Sequence, residues 1–282
     1  MKTFTLLFRA VFFIAIVANV SGCKVTSKGA PIVPGKAISL FNGRDLSAFY
    51  TWLPEFGHED PHGVFTVIES LDGAPAIRIS GQHYGGLITK REYADYKLVA
   101  EYRWGSQTWE PRKDRARDAG ILLHGQGEDG NAKQDFKSPW FRSVEYQIIE
   151  GGTGDIILVN GYDRDSETAI GPKLTVSVQP GERVWDPAGT ATEFQKGRID
   201  WQYRDPSWRD ILNFRGAKDV EKPVGEWNLI EAICRGGDVT YFLNGVKVIE
   251  GRNGSFTAGK LLFQSEGAEI FFRKIELQPL IR

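Results

Sequence analysis

Residues 118–125 read DAGILLHG and residues 143–155 read SVEYQIIEGGTGD, and these two stretches decide the fold. Each is a short run of apolar or alternating residues that ends at glycine, which is typical of a β-strand. Similar runs recur along the whole chain, separated by Gly, Pro, Asn and Asp, and no long amphipathic helix pattern interrupts them. The sequence therefore predicts an all-β sandwich or barrel.

The predicted strands are residues 38–41, 64–69, 76–80, 86–89, 97–104, 120–124, 144–149, 156–159, 174–178, 227–234, 239–243, 246–249, 260–264 and 270–277. Between two of them, Asn244-Gly245 is a strong hairpin signal. Residues 161–223 are less regular and rich in proline, so we expect long loops with two or three strands that cover one edge of the sandwich.

Polar side chains alternate with apolar ones in the second stretch. Successive side chains of a strand point to opposite faces of a sheet, so Glu145 and Gln147 share the face opposite Tyr146. In the first stretch, Asp118 and His124 share one face if no bulge intervenes. We therefore expect an acid, an amide and an imidazole to meet on one surface, which is an unusual density of hydrogen-bonding groups within apolar strands.

The start of the chain has the pattern of a secretory signal. Lys2 and Arg9 are followed by an apolar run, residues 11–20, which is shorter than the roughly 20 apolar residues of a membrane-spanning helix. Small residues then precede Cys23, as in a bacterial lipobox. This predicts cleavage before Cys23 and lipidation of that cysteine; the alternative is ordinary secretion in which Cys23 has no role.

The signal divides the chain into three parts. Residues 1–22 are the predicted lipoprotein signal peptide, residues 23–36 a flexible tether, and residues 37–282 a single folded domain. The protein is then expected in the cell envelope, anchored to a membrane by its N-terminal lipid, in the periplasm or at the outer membrane. With Cys23 lipidated, Cys234 has no cysteine partner, so no disulfide framework is expected.

Composition excludes some classes of partner. The chain has 35 Lys and Arg and 36 Asp and Glu, for a net charge of −1. No basic patch favours nucleic acid. The 8 Trp, 9 Tyr and 17 Phe can fill a β core, and a few can stack on sugar rings. The sequence also contains no His/Cys spacing of a zinc site, no phosphate loop and no Gly-x-Ser-x-Gly elbow. Carboxylates are the remaining candidates for acid/base chemistry.

The order of several short motifs resembles the 3-keto-disaccharide hydrolase family, common among secreted bacterial lipoproteins. The matching segments are LFNGRDL (40–46), GLITK (86–90), YKL (96–98), DAGILLH (118–124), EYQIIE (145–150), GEWN (225–228), LNG (243–245), LFQSEG (262–267) and FR (272–273). The resemblance spans residues 38–280. It implies a concanavalin- or laminin-G-like jelly-roll β-sandwich of two antiparallel sheets with long loops, and a site on the concave sheet.

The resemblance also implies a reaction on sugars oxidised at C3. A base removes the C2 proton, the C1 substituent leaves, and water adds to the enone. Glu145 or His124 is then the expected base, and Arg273, Lys90 or Gln147 steadies the enolate oxygen. A divalent metal ion could serve that last role instead.

The other residues expected to bind a carbohydrate are Asp118, Gln264, Glu266 and Glu150. The alternative hypothesis is a lectin-like lipoprotein that binds carbohydrate without catalysis, because one fold can host both functions. Acids with shifted pKa values would favour the enzyme, whereas a surface of aromatic and amide groups would favour the binder.

Overall fold

The computed structural model describes residues 29–281, and every element of regular structure in them is a β-strand. The strands are β1 (Ile38–Ser39), β2 (Phe49–Trp52), β3 (Phe65–Leu71), β4 (Ala74–Ile79), β5 (Gly85–Thr89), β6 (Tyr93–Ala94), β7 (Tyr96–Thr108), β8 (Asp118–Gln126), β9 (Arg142–Ile149), β10 (Ile156–Val159), β11 (Leu174–Val178), β12 (Thr190–Phe194), β13 (Gly197–Ile199), β14 (Asn228–Arg235), β15 (Asp238–Leu243), β16 (Val246–Gly251), β17 (Ala258–Ser265) and β18 (Ala268–Pro279). The described residues from Pro31 onward form one compact unit.

Two large sheets make up a jelly-roll sandwich. The first sheet has the strand order β16-β15-β14-β7-β18-β4-β3, with β1 added beside β18. The second has the order β13-β10-β9-β8-β17-β5-β2, with β6 added beside β17. The strands named in these sheets pair antiparallel. The prediction of an all-β sandwich is therefore confirmed.

The core lies between the sheets and is built from alternate residues of each strand. Phe263 of β17 packs edge-on against Phe272 of β18, with ring centroids 5.3 Å apart. Tyr146 of β9 and Tyr241 of β15 lie closer, at 4.5 Å. These side chains are almost fully buried. Burial of one large apolar side chain stabilises a fold by about 1.5–3 kcal/mol, so these contacts hold the second sheet firmly.

The other face of the second sheet has a smaller apolar cluster. Its buried members are Ile88, Leu122, Phe141 and Leu262, and the partly buried rings of Tyr50, Trp52 and Trp140 pack against them. This face, which we call the outer face, is therefore covered rather than uniformly solvated. Its glycines and polar residues lie next to this cluster.

The segment 161–223 contains β11 and β12, which form a separate two-stranded sheet, and β13, which extends the second sheet beyond β10. This agrees with the expectation of long loops and a few strands at one edge. No helix among residues 29–281 has the length and apolar character needed to cross a membrane.

Candidate functional site

The pairing of β8 with β9 places the predicted polar residues on the outer face. Gly120 lies opposite Gln147, and Leu122 lies opposite Glu145. The alternate residues, Tyr146 among them, belong to the core between the sheets. Glu145 and Gln147 therefore leave the same side of β9, as the alternation predicts.

Gly120 makes room for two functional side chains. A Cβ atom at this position would lie 2.3 Å from Oε1 of Glu145 and 2.5 Å from Oε1 of Gln264. The two side chains thus meet above the glycine, where Gln264 hydrogen-bonds to the Glu145 carboxyl. Oε1 of Gln264 is buried and has no hydrogen-bond partner within the described chain. This oxygen can accept a hydrogen bond from a ligand hydroxyl or from a protonated Glu145.

Asp118 is held at the start of β8 by two donors. Nε2 of Gln147 donates to its Oδ1 at 2.7 Å, and Nη2 of Arg112 lies 3.2 Å from its Oδ2. Arg112 also contacts Asp210, at 3.0 Å. Burial raises the pKa of Asp118 to about 6, and the positive charges of Arg112 and Arg198 oppose this rise.

Three carboxyl groups share this part of the outer face. Burial, reinforced by the charge of Asp118, raises the pKa of Glu145 to about 8. Burial and the charges of Asp118 and Glu145 raise the pKa of Glu266 well above its ordinary value, although Glu266 remains partly exposed. At neutral pH Asp118 is therefore mainly ionised and Glu145 mainly protonated. Such spread values are typical of sites for proton transfer.

Aromatic side chains form one flank of the carboxyl cluster. Tyr84 precedes β5 and is close enough to Glu266 that burial and this carboxylate raise the pKa of its hydroxyl to about 12. Its ring lies 6.2 Å from that of Trp140, tilted by 30°. The Trp52 indole, next along the face, donates its Nε1 proton to the Ser138 carbonyl at 2.8 Å. These half-buried rings form a surface that we call the aromatic wall.

The opposite flank has a positive charge. Arg198 of β13 is 32% exposed, and its Nη1 lies 2.8 Å from Oδ2 of Asp155. Its charge opposes the rise that burial causes in the pKa of Asp118 and of Glu145. The cluster therefore lies between an aromatic wall and a guanidinium group.

His124 does not reach the outer-face cluster, and its expected position there is wrong. The pairing of β8 shifts after Leu123, and His124 has a φ angle of +52°. The bulge turns the imidazole inward, where it is fully buried and packs edge-on against Tyr96. Its Nδ1 lies 2.9 Å from the Phe256 carbonyl. Burial lowers its pKa to about 4, so it is a neutral interior residue.

Arg273 and Lys90 were also expected beside the enolate oxygen, but both lie away from the carboxyl cluster. Arg273 belongs to β18 of the first sheet, where it pairs with Glu101 and stacks over Trp227 at 4.3 Å. Lys90 is exposed just beyond β5, four residues from Gly86, which pairs with Gln264. Because an extended strand rises about 3.3 Å per residue, these four residues separate Lys90 from Gly86 by about 13 Å along the sheet. Neither cation is within reach of Glu145.

The side chain of Glu150 is fully engaged in structural contacts. Its Oε1 accepts a hydrogen bond from Nη1 of Arg117 at 2.7 Å, and its Oε2 accepts the backbone N–H groups of Arg117 and Asn213. Because both oxygens are engaged in a buried ion pair that fixes a loop, the expected role of Glu150 in substrate binding is not supported by its position.

Sequence reasoning missed Arg112, Arg198 and Tyr84. Arg112 lies in the loop before β8, Arg198 on a three-residue strand, and Tyr84 just before β5. None lies in a long alternating run, so no periodic signal assigned them a face. The residues that the structure does bring together are Asp118, Glu145, Gln147, Gln264 and Glu266.

Within residues 29–281, no three His, Cys, Asp or Glu side chains are grouped so as to hold a metal ion. Cys23, the predicted lipidation site, lies outside the described residues, as do the signal peptide and the first part of the tether.

The chain is similar to several solved structures. One is a glycosyl hydrolase candidate from Parabacteroides distasonis ATCC 8503, with 20% identity and a TM-score of 0.48, covering 87% of this chain and 94% of that chain. A second candidate from the same organism has 19% identity and a TM-score of 0.45, covering 87% and 100%. A carbohydrate-binding module from Bacillus subtilis has 9% identity and a TM-score of 0.38, covering 75% and 91%.

No curated protein matches the sequence. The model of the 3-keto-alpha-glucoside-1,2-lyase-like domain matches residues 36–278. The match runs from before β1 into β18 and so includes strands of both large sheets.

Proposed function

This chain belongs to the 3-keto-alpha-glucoside-1,2-lyase-like domain family, and from that premise we propose that it cleaves glycosides of 3-keto sugars by elimination. The C3 ketone acidifies the C2 proton. A base takes this proton, and the C2–H electrons form an enolate with the C3 oxygen. The enolate expels the C1 substituent, whose oxygen takes a proton, and a C1–C2 double bond remains. Water then adds a hydroxyl at C1 and a hydrogen at C2.

The observation that carries the proposal is the carboxyl cluster of Asp118, Glu145 and Glu266 on the outer face. Elimination needs one group that accepts a proton and others that remain protonated to donate hydrogen bonds. The pKa values of about 6 for Asp118 and about 8 for Glu145 supply both protonation states near neutral pH, and burial beside these two acids raises the pKa of Glu266 as well. A surface that only binds sugar does not require buried acids with separated pKa values.

Glu145 is the proposed base. It lies at the centre of the cluster, only 4% exposed, beside the space that Gly120 leaves open. A base with a pKa near 8 is strong enough to abstract a proton next to a ketone and is partly ionised at physiological pH. Gln147 positions the neighbouring Asp118 rather than touching the enolate, because its amide donates to that carboxylate.

Tyr84 and Glu266 are the proposed donors to the enolate oxygen. The Tyr84 hydroxyl, with a pKa of about 12, is a neutral hydrogen-bond donor. Burial and the charges of Asp118 and Glu145 raise the pKa of Glu266, which favours the protonated form of its carboxyl, the form that donates a hydrogen bond. A tyrosine paired with a protonated carboxylic acid is known to stabilise an enolate in a low-dielectric site. These two residues take the place that the sequence argument gave to Arg273 and Lys90.

The two flanks suggest how the sugar is oriented. The half-buried rings of Tyr84, Trp140 and Trp52 offer apolar faces for the carbon skeleton of a pyranose. With C3 toward Tyr84 and C2 over Glu145, the C1 substituent points toward Arg198. Its guanidinium, partly exposed, then lies where negative charge develops on the leaving oxygen.

The test compares a 3-keto-glucoside with its unoxidised parent. The domain beginning at residue 37 is incubated with each, with and without a chelator, and release of the aglycone is followed. Glu145→Gln is measured beside it, because it keeps the size and hydrogen bonds of the side chain but removes the base. We expect release from the keto substrate only, and a loss of about 10²–10⁴-fold in the variant.

Other results would point elsewhere. Release from the unoxidised glycoside would indicate hydrolysis by two carboxyl groups. Saturable binding without release would make the protein a carbohydrate-binding module, which the aromatic wall would also suit. Loss of activity on adding chelator would indicate that a metal ion takes part.

A further inference from the structure

A groove lies beyond Arg198, on the side of the carboxyl cluster away from the aromatic wall. Its first hollow has a volume of about 670 Å³, within the range of small-molecule sites. The hollow is lined by Gln179, Glu182, Val184, Arg198, Asp200, Arg204, Asp205, Pro206 and Trp208. Because Arg198 lines this hollow and also acts on the charges of Asp118 and Glu145, the hollow adjoins the cluster.

A second hollow, of about 340 Å³, extends the groove. It shares Gln179, Arg204 and Asp205 with the first, and it adds Tyr203 and Lys218, which do not line the first. Tyr203 is 39% exposed, and the Lys218 ammonium lies 5.1 Å from the centre of its ring. The second hollow therefore adds an exposed aromatic side chain to the groove.

Arg204, which lines both hollows, is fixed in place. Arg204 contacts the buried Asp155 and stacks over the Trp208 ring at 4.4 Å. Trp208 in turn donates its Nε1 proton to the Glu150 carbonyl at 2.9 Å. Asp155 also accepts the backbone N–H of Trp201. A rigid lining of this kind lowers the entropy that a ligand loses when it binds.

The lining indicates the chemical class of the ligand. Over both hollows, three carboxylates face three positive charges, so the groove favours neither an anion nor a cation; the groups are Glu182, Asp200, Asp205, Arg198, Arg204 and Lys218. Amide, carboxylate and guanidinium groups together both donate to and accept from hydroxyls. Exposed aromatic rings complement the apolar faces of a sugar. The groove therefore suits a neutral, hydroxyl-rich chain.

We propose that this groove binds the leaving group, and that the preferred substrate has at least two sugar residues beyond the bond that is cleaved. The inference rests on the proposed function, because it takes the C1 substituent to point toward Arg198. The first sugar of the leaving group occupies the hollow beside Arg198, and the second reaches Tyr203.

The test uses three substrates that differ only in the leaving group. They are methyl 3-keto-α-glucoside and the corresponding α-linked disaccharide and trisaccharide with the ketone on the non-reducing sugar. We expect kcat/KM to rise with each added sugar. Gln179→Ala is expected to lower the ratio of disaccharide to methyl glycoside about three- to tenfold, the effect of one lost hydrogen bond.

The Tyr203→Ala variant tests the second hollow separately from the first. It is expected to lower the ratio of trisaccharide to disaccharide by a similar factor, because Tyr203 lines only the second hollow. Gln195→Ala, an exposed glutamine outside the groove, is the matched control and is expected to keep both ratios. Ratios that stay constant in Gln179→Ala and Tyr203→Ala, or values of kcat/KM that do not rise with the leaving group, would overturn the proposal.

A failure of the proposed chemistry would be recognised separately. If no keto substrate is cleaved, the groove is tested by calorimetric titration of maltotriose into the wild-type protein and Tyr203→Ala. Saturable binding that Tyr203→Ala weakens would support a sugar-binding groove although the elimination is wrong. Absence of binding, or equal binding by both proteins, would reject the groove as well.

Discussion

Glycine at position 120 is the smallest residue of the site and the one that leaves space for its chemistry. Glu145 and Gln264 both occupy the volume that a Cβ atom would take. The atoms nearest that position are the ends of two flexible side chains, so a Cβ atom there would push the Glu145 carboxyl and the Gln264 amide out of place. The position of the Glu145 carboxyl therefore depends on the absence of a side chain at residue 120.

Gly120→Ala is expected to reduce kcat on the 3-keto-glucoside at least about a hundredfold, because a displaced base loses its alignment with C2. Gly35→Ala is the matched control, since nothing lies within 4 Å of its Cβ position, and both variants are made in a chain that begins at residue 29 so that position 35 is included. Steady-state kinetics and thermal melting of both variants check this expectation. A folded Gly120→Ala protein with normal kcat would remove Glu145 from the reaction.

The raised pKa of Glu145 also predicts how stability depends on pH. The folded state holds a proton on Glu145 up to a pKa of about 8, whereas an ordinary glutamate releases it near 4.5. The folded state thus binds more protons between these values, and this contribution to stability is lost as pH rises from about 4.5 through 8. In Glu145→Gln, urea unfolding at pH 5, 7 and 9 is expected to show a weaker decline.

Glu221 provides a matched control for this measurement. It is buried, with a pKa raised to about 8, and it accepts hydrogen bonds from Tyr102 and Trp104 at a distance from the carboxyl cluster. Glu221→Gln is expected to flatten the same stability curve while leaving the pH profile of kcat in place. If wild-type kcat does not rise with pH through about 8, Glu145 is not the base.

Among the individual site residues, the sequence predicted those on regular strands better than those on loops. Alternation assigned Glu145 and Gln147 to one face of β9, and the pairing with Gly120 confirms that assignment. Arg112 and Arg198 reach the cluster from a loop and from a three-residue strand. Their positions depend on tertiary contacts with Asp210 and Asp155, which no local pattern contains.

Among the elements, β8 shows how one bulge redirects a side chain. A shift in pairing after Leu123 reverses the alternation that would have brought His124 to the outer face. Single-residue insertions of this kind leave no clear trace in an apolar run, so parity arguments fail beyond them. The same stretch therefore predicts Asp118 correctly and His124 incorrectly.

The His124→Asn variant tests whether His124 is an interior residue with no part in the reaction. Asparagine accepts the positive φ angle better than most residues, and it keeps a polar group near the Phe256 carbonyl. We expect kcat within about threefold of wild type and a loss of about 1–3 kcal/mol in the free energy of unfolding, from the disturbed buried hydrogen bond. Urea unfolding and kinetics measured together decide this; a large loss of kcat at unchanged stability would restore His124 to the reaction.

The strands themselves were predictable where they were long or strongly apolar. Every predicted strand is present within a few residues of its expected bounds. The short strands β2 and β6 were missed, and β12 and β13 were expected only as unplaced strands of the segment 161–223, because two to five residues are too few to show alternation. Two of these carry functional groups: Trp52 of the aromatic wall lies on β2, and Arg198 lies on β13.

For the whole molecule, composition and order of motifs were sufficient to predict two antiparallel sheets, but not which strands belong to which sheet. Arg273 illustrates the difference. It alternates with Phe272 as an outer residue of β18, yet β18 belongs to the first sheet and its outer face points away from the site. Assignment of strands to sheets depends on pairings between residues far apart in the chain, which local sequence does not specify.

The predicted lipid anchor is tested on the full-length chain. Expressed in a bacterium supplied with labelled palmitate, the protein is expected to incorporate label and to sediment with membranes, because the predicted signal peptide is followed by Cys23 in a pattern that resembles a lipobox. Cys23→Ser is expected to abolish both. Labelling that persists in Cys23→Ser would place the lipid elsewhere, and soluble export of the wild type would favour ordinary secretion.

Poor access of water to the carboxyl cluster has an isotopic consequence. Asp118, Glu145, Gln147 and Gln264 are each no more than 6% exposed. A deuteron that Glu145 takes from C2 therefore exchanges slowly with solvent, and the same carboxyl can return it to C2 when water adds to the double bond. We expect a substrate deuterated at C2 to give a product that retains part of its label, as mass spectrometry would show. Retention would mean that the hydrogen removed from C2 is the one returned to C2. Complete loss of the label would mean that bulk water reaches the base during each turnover.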